Sequence, residues 1–186
     1  MWYVIQVKTG EENAIAGKLR DQQIHALVPA ENRPIRSGGS WTKKEYILFP
    51  GYVFLDMEYT ARNYYRIKEV PGVIQFLGDK KNPSRLTYLE AEWIRLLGGN
   101  GKPLEPTLVR EDAEGCLTIV SGILRHLESR IVKWDKRNRK AVFEITICGE
   151  VKSAQLGIEI EEGPDLAYAD ESGGAEAAEQ VLKEAT

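Results

Sequence analysis

The apolar residues of this chain change their period once. Up to residue 98, runs with apolar residues three and four apart alternate with short β-branched and aromatic runs. Beyond residue 108 the apolar positions recur mostly at every second residue. Between them, residues 99–108 read GNGKPLEPTL, too rich in Gly and Pro for either pattern. Helical stripes and two-faced strands need different packing partners, so the chain is expected to be α+β. An α/β sandwich of antiparallel sheet and helices is followed by a linker and a small β-barrel. The expected division is 1–98, a linker at 99–108, a barrel at 109–162, and a tail at 163–186.

Within the first part, residues 2–8 predict a strand. Thr9 and Glu12 have capping-box spacing ahead of a helix running to about Gln22, with Ile15 and Leu19 on one face. A short strand is expected at 26–30. Residues 33–48 predict a β-hairpin tipped by Ser37-Gly38-Gly39-Ser40, because two glycines accept positive φ. A strand at 49–55, a helix at 61–69 and a strand at 73–77 follow. Thr87 and Glu90 cap a last helix, on which Leu89, Trp93, Leu96 and Leu97 recur at helical spacing. In the second part, strands are expected at 116–120, 130–135, 141–148 and 155–160. Ala141, Phe143, Ile145 and Ile147 share one side.

Charge is unevenly spread. The net charge is -3, yet the stretch from Glu159 to the end holds nine acidic residues against one Lys. That stretch carries -8, which leaves +5 on residues 1–158. Residues 121–140 hold Arg125, Arg130, Lys133, Lys136, Arg137, Arg139 and Lys140 against Glu128 and Asp135. Arg contacts phosphate with two parallel hydrogen bonds and stacks on bases, so this run, with His126, is a candidate nucleic-acid surface. Arg125, Arg130 and the 136–140 turn are expected on one surface. The hairpin arms add Arg33, Arg36, Lys43 and Lys44, read either as a solvated hairpin or as a nucleic-acid contact. The acidic tail is expected to be disordered.

Chemistry that would mark an enzyme is not legible. There is no phosphate-binding Gly-rich loop, GxSxG elbow or HExxH helix. Two histidines and two cysteines, Cys116 and Cys148, do not suggest a metal site or a disulfide framework. No cofactor is implied. The start of the chain shows no signal pattern and no stretch long enough to span a membrane, so a cytoplasmic binding protein is expected.

The opening WYVIQVKTGEENAIAGKL, the basic hairpin with Gly38-Gly39, the FPGYVFLDME strand and VPGVIQFLG at 70–78 together resemble the N-terminal (NGN) domain of the NusG family of transcription factors. Residues 109–161 resemble that family's C-terminal KOW domain, an SH3-like barrel. The basic stretch SGILRHLESRIVKWDKRNRKA is similar to the LoaP group of specialised antiterminating paralogues. The resemblance implies a monomer that binds the clamp helices of bacterial RNA polymerase through Phe49 and Tyr52, with Trp2 and Tyr3 nearby. It implies binding of a structured leader RNA hairpin through Arg125, His126, Arg130, Lys133, Lys136, Arg137, Arg139 and Lys140. It also implies non-template DNA near Arg33, Arg36, Lys43 and Lys44, and suppression of pausing and termination at particular operons. The chain departs from the KOW pattern at Ile123 and Ser129, where Pro and Gly are usual. At Leu124 it departs where the family offers an aromatic to protein partners. A general NusG-type factor coupling polymerase to ribosome or Rho, and a ribosome-associated KOW protein, are the alternatives.

Overall fold

In the computed structural model, which describes residues 1–78 and 82–161, the chain forms two sheets and a long hairpin. The elements in chain order begin with β1 (Trp2–Val7), α1 (Glu12–Asp21), β2 (His25–Leu27), β3 (Ala30–Ser37) and β4 (Ser40–Ile47). Then come β5 (Tyr52–Asp56), α2 (Ala61–Lys68), β6 (Val73–Phe76) and α3 (Tyr88–Leu97). The last five are β7 (Thr107–Glu111), β8 (Leu117–Ser121), β9 (Ile131–Asp135), β10 (Lys140–Ile147) and β11 (Glu150–Glu161). No helix among the described residues is long and apolar enough to cross a membrane. The expected disordered tail at 163–186 lies outside the described residues.

The first sheet is antiparallel in the order β2-β5-β1-β6. Strand alternation sends the residues of β1 to opposite faces. Tyr3, Ile5 and Val7 pack with Val53, Leu55, the α1 residues Ile15, Ala16 and Leu19, and Ile67 of α2. Trp2 and Val4 pack with Phe54 and with Ile94 and Leu97 of α3. With helices on both faces, the strands are buried on both sides, which explains the near-continuous apolar sequence of β1.

The second cluster does not stop at the first sheet. It continues through Val109, Leu124, Leu127, Phe143, Ile145, Leu156 and Ile158 of the second sheet. That sheet runs β8-β7-β11-β10-β9, with β7 parallel to β11 and the other pairs antiparallel. Ala141, Phe143, Ile145 and Ile147 are all buried, as the period of two predicts.

Three local readings change. The helix after β1 starts at Glu12 with Glu11 at its cap position and no side-chain cap. The Glu12 carboxylate instead accepts from Gly10 N (2.8 Å) and from the buried Gly51 N (2.7 Å), so it ties α1 to the Pro50-Gly51 turn. Gly51 sits at φ +83, where a Cβ would lie 3.3 Å from Thr9 Oγ1. The capping box at Thr87 and Glu90 forms as expected. Second, residues 99–108 are anchored. Leu104 N donates to Ala30 O and Asn32 N donates to Leu104 O, both at 2.8 Å, so the stretch runs along the edge of β3. Third, β7 was not legible: it directly follows Pro106, and its pairing with Ile158–Glu161 of β11 is long-range.

Candidate functional site

Phe49, Tyr52, Trp2 and Tyr3 do not form a single patch. Gln6↔Tyr52, Val4↔Phe54 and Trp2↔Asp56 are cross-strand pairs, so Trp2 and Tyr52 point from the same face of the first sheet. Phe49 joins them there, edge-on to Phe54 with ring centroids 5.7 Å apart. Tyr3 lies on the opposite face against Tyr59. One step along a strand reverses the side-chain direction, which is why neighbours in sequence part company here. Trp2 and Phe49 are each 5% exposed, whereas Tyr52 is half-buried. The Lys152 ammonium of β11 lies over the Tyr52 ring, 5.5 Å from its centroid. Burial pushes the Cys148 thiol at the β10–β11 turn up to about 11, with Glu90 and Glu150 adding to the shift. Next to that thiol, Gly149 N donates to Glu90 of α3.

The basic residues of the second sheet fall into two groups rather than one. Consecutive antiparallel connections leave a sheet at opposite ends, so the stretch before β9 and the β9–β10 turn are separated by the length of β9, roughly 16 Å at about 3.3 Å per residue. Arg125, His126 and Arg130 sit at the first end, in two short 3-10 turns, Ile123–His126 and Glu128–Arg130. Arg125 donates to Val120 O, and the Arg130 guanidinium lies over the Trp93 ring of α3 at 5.7 Å. Lys136, Arg137, Arg139 and Lys140 sit at the other end. The expected single surface is therefore corrected to two. Lys133 is exposed on β9 between them.

The second group meets the hairpin. The Arg139 guanidinium lies over the Trp41 ring, 4.2 Å from its centroid. Arg139 is held at φ +49, a left-handed conformation that costs a side-chain-bearing residue about 1 kcal/mol. Lys140 Nζ and Arg33 Nη1 both donate to Gln155 Oε1, at 3.2 and 3.3 Å. Glu31, 1% exposed, accepts from Arg33 and from Gly157 N, which closes the seam between β3 and β11. Burial raises the Glu31 carboxyl above its ordinary value, opposed by the Arg33 charge and the Gly157 N–H.

The hairpin cations divide in the same way. Arg33 is committed to Glu31 and Gln155. Lys43 pairs with Glu105 and Glu159, whose hydrogen bonds raise its pKa. Arg36 and Lys44 are exposed. Lys136 is held by Glu111 and by Gly115 O, while Arg137 is exposed. Of the residues that organise these contacts, Trp93 is marked in the sequence only by the apolar spacing of α3, and Trp41, Glu31, Gln155 and Gly157 carry no signal. Each acts across more than thirty positions of chain. Among the described residues no group of three or more His, Cys, Asp and Glu is placed to hold a metal.

The fold defines a mixed α+β protein with aromatic side chains sealed at the meeting of its sheets and cations gathered at two ends of the second sheet. The family profile described as "Transcription termination factor nusG" matches residues 1–95. A "Transcription termination/antitermination protein NusG" of Pasteurella multocida is 33% identical over 167 residues, covering 83% of this chain and 90% of that protein. The protein of that name from Helicobacter pylori J99 is 26% identical over 165 residues, covering 83% and 93%. The solved structure titled "Domain interaction in Thermotoga maritima NusG" superposes with a TM-score of 0.51 at 21% identity, over 84% of this chain and 93% of that one, a likeness of fold. The chain belongs to the NusG family of transcription termination/antitermination factors, and its first sheet has the fold of that family's N-terminal domain.

Proposed function

We propose that this protein is a LoaP-like antitermination factor of the cytoplasm. Residues 1–98 form the NGN domain that binds RNA polymerase. Residues 109–162, joined by 99–108, form a KOW-type unit that binds a structured leader RNA at particular operons. Among the aromatic candidates, Tyr52 is the residue through which polymerase contact begins, because Trp2, Tyr3 and Phe49 are buried. Lys152 lies on Tyr52, so polymerase binding competes with that contact. A clamp-binding protein that grips the closed, elongating form of polymerase better than the paused form shifts the population toward elongation.

The observation that carries the RNA half is the state of Leu124. It is fully buried, so that position offers no side chain to a ribosomal or Rho partner. Lys133 on β9 and Arg137 in the turn after it meanwhile stand exposed. Selection of transcripts bound by the full chain from the genome that encodes it should enrich a leader hairpin. Recovery of ribosomal protein or Rho in a pull-down, with no RNA enriched, would replace this reading by the general NusG role.

A further inference from the structure

We infer that the RNA-binding site is shared between the β3–β4 hairpin and the β9–β10 turn, and that Trp41 is its base-stacking platform. The inference rests on the RNA reading above but places half of the site in the NGN domain. Trp41 is paired across the hairpin with Arg36 and is covered on one ring face by Arg139. One half-buried indole thus has an arginine of the second sheet over its ring and an arginine of the hairpin as its cross-strand neighbour. Aromatic rings flanked by guanidinium groups stack unpaired bases with little regard to sequence, and the cations track the phosphates.

The carboxylates around this point are already committed. Glu31 accepts from Arg33 and Gly157, Glu105 and Glu159 hold Lys43, and Asp135 accepts from Asn138 N and Nδ2. Among the described residues, Arg36 and Lys44 of the hairpin and Arg137, Arg139 and Lys140 at the β9–β10 turn have no carboxylate within ion-pair distance. They come from both sides of the seam, so the seam itself builds the site. Arg139 is held there in a left-handed conformation that most residues avoid, which sets the direction in which its side chain leaves the backbone. The ligand is a folded RNA with at least one unpaired base: paired bases cannot reach an indole, and a loop displays them.

The test uses the full chain and a stem-loop RNA with an unpaired loop, its affinity read by fluorescence anisotropy over a range of salt. The same hairpin in DNA serves as competitor, and each variant is checked for an unchanged thermal transition. Trp41→Ala should weaken RNA binding by roughly fivefold to a hundredfold, the value of one base stack, and Trp41→Phe should restore most of it. Arg36→Ala with Lys44→Ala should reduce the salt slope by roughly 1.4 to 1.8, the signature of two lost phosphate contacts. If Arg137→Ala with Arg139→Ala weakens binding while the hairpin variants do not, the shared site is wrong and the RNA reading stands. If neither set matters, the RNA reading itself fails. Tighter binding of the DNA hairpin would overturn the proposal in favour of a DNA surface.

Discussion

The two sheets cover their apolar faces by different means. The first is sandwiched between α1 and α2 on one face and α3 on the other. The second has no helix of more than a single 3-10 turn between its strands, and its buried residues belong to a cluster that runs into the first sheet and α3. About fifty residues seldom bury enough surface to stand alone, so borrowing a face from the N-terminal half is the physical remedy. The seam between β3 and β11 is thus structural and also the place where the hairpin meets the β9–β10 turn.

The most severe loss is expected from Phe143→Ala. Phe143 is fully buried in the middle of β10, and losing the ring should cost about 3–5 kcal/mol. Because the cluster is shared, denaturation followed by tryptophan fluorescence and by far-UV ellipticity should shift as one transition. Two separated transitions would show that the sheets do not depend on each other.

Gly157→Ala sharpens the comparison at the seam. A Cβ there would lie 2.7 Å from Pro34 Cδ and 3.3 Å from the Arg33 Cα, so β3 and β11 must move apart, at about 1–3 kcal/mol. Faster hydrogen exchange at the position-157 N–H and a changed Trp41 environment are expected, with the α1 face of the first sheet undisturbed. Unchanged exchange at that N–H would mean that the seam is not set by close backbone approach.

The smallest expected effect concerns pH. The Glu31 carboxyl holds its proton to a higher pH in the folded chain than in the unfolded one, because burial outweighs Arg33. This group therefore favours folding at acid pH. The increment is lost as pH rises from the ordinary carboxylate range through the raised value. Glu31→Gln removes it. The stability of the native chain relative to the variant should decline with pH across that window in urea titrations; a flat difference would show that Arg33 compensates the burial.

Much of the fold was written in local pattern. The Thr87–Glu90 box, the Ser37–Ser40 hairpin tip and the alternation of Ala141 through Ile147 are all decided by neighbours a few residues apart. Thr9 has the same spacing but forms no cap, because the carboxylate of Glu12 accepts from the Gly51 N–H, a partner 39 positions away. The candidate site was legible as residue types and not as surfaces. The sequence could count seven basic residues in twenty, but which strand end each occupies depends on pairing.

What the sequence determined by itself was the family, the period of each half and the chemistry available to bind: aromatic rings, arginines and no evident catalytic set. The tertiary structure alone decided that Trp2 and Tyr3 face opposite ways, that the cations split between Trp93 and Trp41, and that Glu31 and Gly157 join the sheets. The reason is distance along the chain. Helix caps, turns and alternation are short-range, whereas the partners of Arg139, Arg130 and Glu31 are chosen by how two sheets pack.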